Sequence, residues 1–257
     1  LVSVPAMLID THCHLDLPPL VNQLDELLAE ARAVGVTRWV VPSVHPEGWQ
    51  RISGLTAQHP ALRPAYGVHP LHAGIATADH LLQLRQLAPA GVAIGEIGLD
   101  GSYGNPGQQE ALFREQLRIA LQHGLPVLIH CRKAIGRTVA ILREERADQV
   151  GGIMHAFSGS LESARECIKL GFVLSLSATL TRNNAVRPLQ LAAQLPLEQL
   201  VLETDAPDLP PSAHPGCSNR PAWLHETASR LAAIKGISIA EVARRTTATA
   251  QRILPRL

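Results

Sequence analysis

Seven side chains able to bind a metal or move a proton stand where apolar runs end. The first run closes on Asp10-Thr11-His12-Cys13-His14. Gly91-Val92-Ala93-Ile94-Gly95 leads to Glu96, Pro126-Val127-Leu128-Ile129 to His130, and Gly151-Gly152-Ile153-Met154 to His155. Gln199-Leu200-Val201-Leu202 leads to Glu203 and Asp205. Side chains alternate faces along a strand, so His12 and His14 point one way, as do Glu203 and Asp205. Two imidazoles on one face are the start of a metal site. Imidazole with carboxylate suits Zn, Mn, Ni, Co or Fe, and the carboxylates also admit Mg. Parallel neighbouring strands would bring all seven groups to one end of one sheet. Two ions about 3.5–4 Å apart would then activate water and neutralise both attacking and leaving oxygens. In that arrangement His12, His14 and Asp205 serve one ion and His130 and His155 the other, with Glu96 bridging from a middle strand. No lysine stands at a strand end to bridge in its place; Lys133 falls three residues past His130. Asp205 lies outermost, placed to be ligand and proton acceptor, while Glu203 lies deeper and supports its neighbours. Cys13 and Cys131 alternate away from these groups and serve as small buried apolar residues.

The elements that must position these groups are eight strand candidates, at 7–12, 38–44, 63–68, 92–97, 126–130, 152–156, 172–177 and 200–204. Helical periodicity separates them: Leu20, Leu24, Leu27, Leu28 and Ala31 keep one face apolar, and 112–123 does so before Gly124. Further helices are predicted over 134–147, 221–235 and 238–252. Strands alternating with helix-length segments imply parallel pairing through crossovers. Eight such units match an α/β TIM (β/α)8 barrel, a fold of about 250 residues. The chain of 257 residues is expected to be one such unit, 1–257. An open doubly wound sheet would place a glycine-rich phosphate turn after the first strand, and Thr11-His12-Cys13-His14 is not one. The stretch from Pro207 to Pro221, rich in proline, glycine and serine, is expected to be a loop beside the barrel mouth.

Composition narrows the function. With 23 basic and 22 acidic residues the net charge is +1, which argues against a broadly basic nucleic-acid face but permits a local basic groove. The four cysteines form no C-x-x-C and no disulfide framework. No apolar run reaches the length of a membrane span and no signal-peptide pattern opens the chain, so the cytoplasm is the expected compartment, with no membrane and no obligate protein partner.

Thr11-His12-Cys13-His14-Leu15-Asp16, Gly67-Val68-His69-Pro70, Gly95-Glu96-Ile97-Gly98-Leu99-Asp100, His155-Ala156-Phe157-Ser158-Gly159 and Leu202-Glu203-Thr204-Asp205-Ala206-Pro207 occur in this order from Met7 onward. Together they resemble the TatD family of metal-dependent hydrolases, and most nearly its YjjV-like branch. The resemblance implies a TIM barrel of the amidohydrolase-like superfamily holding one or two divalent metal ions (Zn, Mg or Mn). It carries over His12, His14, Glu96, His130, His155 and Asp205 as ligands, and places His69 near the site without direct metal contact. It implies a deoxyribonuclease acting on DNA ends or single strands, with Asp205 and Glu96 central to catalysis. The alternative is hydrolysis of an acyl ester or amide, such as a D-aminoacyl-tRNA, by the same centre. A third reading, a metal-binding scaffold without turnover, is disfavoured by the complete ligand set. Two departures stand out. Gly101-Ser102-Tyr103 replaces an aromatic pair common in relatives, and Asn219-Arg220-Pro221 replaces an Asn-Glu-Pro stretch, putting a positive charge near the expected mouth. Candidate substrate contacts are therefore Arg132 and Lys133, which follow a ligand position, Arg220, and the Ser158-Gly159-Ser160 turn. That turn precedes a helix whose free amides would suit a phosphate oxygen, or else Ser160 is a plain N-cap. Aromatic residues make up 3% of the chain, a poor supply for a broad base-stacking platform.

Overall fold

Successive residues of each strand enter two different apolar layers, as a pleat with both faces covered requires. One residue from every strand, Ile9, Val40, Ala65, Ala93, Leu128, Ile153, Val173 and Val201, packs into a single inner cluster. Their neighbours, such as Leu8, Trp39, Val41, Tyr66, Ile94, Ile129, Met154 and Leu202, pack outward under the helices. The computed structural model describes residues 7–257. Residues 1–6, part of the expected unit 1–257, lie outside the described residues.

The strands are β1 (Leu8–Asp10), β2 (Val36–Pro42), β3 (Leu62–Tyr66), β4 (Ala93–Asp100), β5 (Val127–Arg132), β6 (Gly152–Met154), β7 (Phe172–Leu176) and β8 (Leu200–Leu202). They pair in chain order, all in parallel. Crossover helices are α1 (Leu24–Ala33), α2 (Trp49–Gln58), α3 (Ala78–Leu87), α4 (Pro106–His123), α5 (Ile135–Glu144), α6 (Leu161–Lys169) and α7 (Val186–Gln194). Two more, α8 (Leu224–Lys235) and α9 (Ile239–Ile253), follow β8. This is the expected (β/α)8 barrel. Its ends meet where the Thr11 amide donates to the Leu202 carbonyl at 3.0 Å. Ala250 of α9 and Leu254 beyond it join the inner cluster and close the end of the barrel where the strands begin. Among the described residues no helix is long and apolar enough to cross a membrane.

The strand ends fall one to three residues from the positions read in the sequence, and two of these differences change which way the site residues face. β1 stops at Asp10 rather than at residue 12, with a bend at Thr11. β4 runs on to Asp100 and carries a bulge: three steps from Ile94 to Ile97 oppose two from Val127 to Ile129. The bulge reverses the strand's facing, because an extra residue shifts the period-2 pattern by one. Ala93 packs inward before it and Ile97 packs outward after it. Glu96, Gly98 and Asp100 therefore share the inner face.

Gly98 holds this crossing open. Its φ is +142°, and a Cβ there would stand 2.0 Å from the His130 carbonyl oxygen. Gly98→Ala is expected to cost about 3 kcal/mol or more, combining backbone strain with a clash against backbone that cannot swing aside. For a domain of this size that corresponds to a fall in Tm of about 10 °C. A thermal melt matching the wild type would show that β4 and β5 can separate there.

Candidate metal centre

The mouth of the barrel, at the C-terminal ends of the strands, opens into a cleft of about 660 Å³. His14, Glu96, His130, His155 and Asp205 all line it, with His12 buried just behind them. The strand-end groups thus converge as the sequence predicts, though not by simple alternation. Ile9 faces inward and Leu8 outward, so an uninterrupted β1 would aim His12 at the helices. The bend at Thr11 turns His12 and His14 into the mouth and leaves Cys13 in the outer core. Buried Asp10 fixes that bend. Its Oδ1 accepts from the His12 and Thr204 amides at 3.3 and 2.9 Å, and its Oδ2 accepts from the Thr204 hydroxyl at 2.5 Å. The Asp205 amide in turn donates to the His12 carbonyl at 2.9 Å. Burial, with the Thr204 and His12 hydrogen bonds opposing it, pushes the Asp10 carboxyl up to about 7.

Glu96 is the centre of the cluster. Its Oε2 lies 3.2 Å from His12 Nε2 and 3.7 Å from His14 Nε2; its Oε1 lies 2.8 Å from His130 Nδ1 and 3.8 Å from His155 Nε2. Asp205 Oδ1 stands 3.7, 3.6 and 3.5 Å from the Nε2 atoms of His12, His14 and His155. The imidazoles of His12 and His155 stack with centroids 3.6 Å apart, whereas His130 and His155 are 6.3 Å apart. His155 therefore belongs with His12 and Asp205, not with His130 as the sequence reading paired it.

Hydrogen bonds decide which ring nitrogen keeps a lone pair. His14 Nδ1 faces the Pro42 carbonyl at 3.2 Å and His155 Nδ1 faces Glu203 Oε2 at 3.0 Å. Both must donate, which makes Nε2 the nitrogen that each ring, once neutral, would turn toward a cation in the cluster. His130 Nε2 faces Asp100 Oδ2 at 3.0 Å, leaving Nδ1 toward Glu96. His69 is the reverse case. Its Nδ1 accepts from the Leu71 amide at 3.1 Å, so the proton sits on Nε2, 3.7 Å from Glu96 Oε1. His69 thus turns its Nε2 toward the cluster.

The charge balance points the same way. Burial opposes ionisation of Glu96, yet the imidazoles of His12, His69 and His155 hold it well below the usual carboxylate range. Asp205 is lowered in the same way, against burial, chiefly by His155 and His14. Burial disfavours the charged imidazoles too, yet Asp205 and Glu96 raise His14 to about 9, and Glu203, Asp205 and Glu96 raise His155 to about 10. Burial pushes His69 down to about 4. The pocket draws positive charge to itself, and its imidazoles, on giving up their protons, join the carboxylates in a donor set that fits a divalent cation. Three groups could each hold an ion: His12 with His14 and Glu96, His12 with His155 and Asp205, and His69 with Glu96 and His130.

Several supports were not legible in the sequence. Asp100 is buried, lines the cleft and holds His130; its signal was its place two and four residues past Gly98 and Glu96. Gln109 and Gln116 on α4 each clamp a strand end. Gln109 accepts from the Asp100 amide at 2.8 Å and donates to its carbonyl; Gln116 does the same for Val68, beside His69. Glu203 accepts from the Ala156 amide at 2.7 Å as well as facing His155.

The expected substrate contacts divide. Arg132 and Ser158 are exposed and line the cleft. Lys133 is exposed beside Arg132. Ser160 is an N-cap, its hydroxyl accepting from the Ser163 amide at 3.2 Å. Arg220 is a correction: it turns to Glu30 on α1, at 3.1 Å, and not into the mouth. Its neighbour Asn219 is the structural residue, buried, with Nδ2 donating to the Thr204 and Asp208 carbonyls at 2.8 Å. Because an exposed ion pair of this kind contributes under about 1 kcal/mol, Arg220→Ala is expected to leave kcat/KM within about twofold of wild type. A loss of tenfold would return Arg220 to the site.

Comparison with known proteins agrees with this architecture. A family model described as TatD related DNase matches residues 9–255. YabD of Bacillus subtilis (strain 168), described as an uncharacterized metal-dependent hydrolase, is 36% identical over 251 residues, covering 96% of this chain and 98% of its own. The crystal structure of the TatD homologue YjjV from Escherichia coli K12 superposes with a TM-score of 0.93 at 31% identity, covering 98% of this chain and 99% of that one. With the model spanning nearly all of the barrel and these relatives matching end to end, the chain belongs to the TatD related DNase family.

Proposed function

We propose that the protein is a divalent-metal-dependent phosphodiesterase that cuts DNA at ends or in single strands. The observation that carries this reading is the split of Glu96, one oxygen toward His12 and His14, the other closest to His130 with His69 and His155 farther off. A carboxylate so placed suits two neighbouring cations, the arrangement used for in-line displacement at phosphorus. His12, His14, His155 and Asp205 would hold one ion and His130 the other, with Glu96 shared between them. Bound divalent ions supply a water of lowered pKa and neutralise charge on the phosphoryl oxygens. The chain's own residues do the rest. Asp205, at the mouth and ionised, accepts the proton of the attacking water. His69, neutral with its proton on Nε2, donates toward the reacting centre. Arg132 and Ser158 hold the phosphodiester at the rim. The family's description as DNases and the naming of relatives as metal-dependent hydrolases support the reading. The cytoplasm, with no membrane partner, remains the proposed compartment, and residues 1–257 the proposed single domain.

The test is hydrolysis of 3′-labelled and 5′-labelled single-stranded DNA by protein reconstituted with Mg, Mn or Zn, run beside aminoacyl-tRNA and bis(4-nitrophenyl) phosphate. Metal-dependent release of nucleotides is the expected result. Deacylation of aminoacyl-tRNA without DNA cleavage would replace this reading with acyl hydrolysis. Glu203→Gln is expected to lower kcat by about 10–100-fold, the usual effect of disturbing a group that orients a ligand. The amide can still accept from Ala156 but no longer holds His155 with a full charge. Unaltered kcat and metal affinity in this variant would separate Glu203 from the site.

A further inference from the structure

The rim of the cleft is chemically one-sided. β5 ends on Arg132, with Lys133 next to it; after β7 stand Arg182 and Arg187, all four exposed. None of them is among the ion pairs of the described residues. On α4 and α5 the pattern is different: Arg114, Arg118, Arg137 and Arg143 each face a glutamate. Arg187 reaches the cleft itself, since its Nη1 lies 3.4 Å from the carbonyl of Ser158, a lining residue, and Pro188 beside it also lines the wall. The arc after β3 and β4 is different again. Leu71 and Tyr103 line the cleft yet are 45% and 44% exposed, among the few large apolar side chains so open to water. After β8 the lining turns acidic with Asp208.

A neutral or cationic small molecule has no use for an unpaired basic arc on one side, and a bare phosphate has no use for an open aromatic on the other. A single polynucleotide strand uses both, because its phosphates run along one edge and its bases project from the other. Asp208 turns the phosphates away from the β8 side. We propose that this mouth binds one strand of DNA with its phosphates along Arg132, Arg182 and Arg187 and a base against Tyr103 and Leu71, so that the phosphate between them lies over Glu96 and Asp205. The assignment rests on the phosphodiesterase reading above and adds to it the path and facing of the strand. Tyr103 thus does locally what a larger aromatic platform does elsewhere, which fits a chain with few aromatic residues.

The experiment is fluorescence anisotropy of metal-loaded protein with a short phosphorothioate oligothymidylate across a range of salt. It compares wild type, the double variant Arg182→Ala/Arg187→Ala, the charge-matched control Arg165→Ala/Arg230→Ala, Tyr103→Ala and Tyr103→Phe. The Arg182/Arg187 variant is expected to bind more weakly, with the slope of log Kd against log salt shallower by about 1.4, two single-strand phosphate contacts. Tyr103→Ala is expected to raise Kd about 5- to 150-fold, the range of base–aromatic stacking, and Tyr103→Phe to retain affinity. An Arg182/Arg187 variant indistinguishable from the control overturns the phosphate path. A Tyr103→Ala protein within twofold of wild type overturns the base contact. A wild type that hydrolyses bis(4-nitrophenyl) phosphate but neither binds nor cuts single-stranded DNA overturns the nucleic-acid reading as a whole.

Discussion

An Asp205→Asn enzyme is expected to lose about 10²–10⁴ in kcat at saturating metal, the usual effect of removing a general base, with any loss of metal affinity added. The fold should survive. Asp205 has φ near +59°, a left-handed conformation that asparagine tolerates as well as aspartate. Its amide bond to the His12 carbonyl is made by the backbone and persists in the variant. What changes is charge. Oδ1 lies within 3.7 Å of three imidazole nitrogens, and an amide there neither offsets a cation nor takes a proton from water. Circular dichroism controls for folding, and kcat on labelled single-stranded DNA is the readout. Near wild-type kcat would show that the proton leaves by another group and that the proposed role of Asp205 is wrong.

Glu96→Gln is expected to be the other severe variant, for a different reason. Its carboxylate serves two sets of imidazoles at once, His12 and His14 through Oε2 and His130 through Oε1. An amide presents one oxygen and one NH2, so one of the two sets must face a donor in place of an acceptor. Bound metal, counted by mass spectrometry of the purified protein, should fall relative to wild type. The rate should fall by about 10²–10³ or more, as when one preorganised electrostatic group is removed. The two variants are distinguishable: Asp205→Asn acts mainly on the rate, Glu96→Gln on metal content and rate together. Equal metal content in Glu96→Gln and wild type would mean that the glutamate does not bridge.

The comparison of sequence with structure turns on what is local and what is not. Apolar runs ending in His12, His14, Glu96, His130, His155 and Asp205, spaced by helix-length segments, were enough to establish eight parallel strands in order and a cluster at one end. Parallel strands need crossovers and a barrel collects its strand ends, so that much follows from the chain alone. The facing of each group did not. Period-2 alternation carried from Ala93 would turn Glu96 into the helix layer, and from Ile9 it would do the same to His12. A bulge against β5 reverses the first and a bend clamped by Asp10 and Thr204 reverses the second. Each depends on a partner strand remote in the chain, so no reading of a single segment contains it. The same holds for Gln109, Gln116 and Asp100, whose partners are backbone atoms or imidazoles of other elements. It holds for Arg220, whose neighbour Asn219 is buried against Thr204 and Asp208 while its own charge is taken by Glu30 on α1. Residue type and order, which follow from composition and hydrophobic period, were the sequence's to determine. Which nitrogen, which oxygen and which face each residue presents was decided by hydrogen bonds between elements that only the closed barrel brings together.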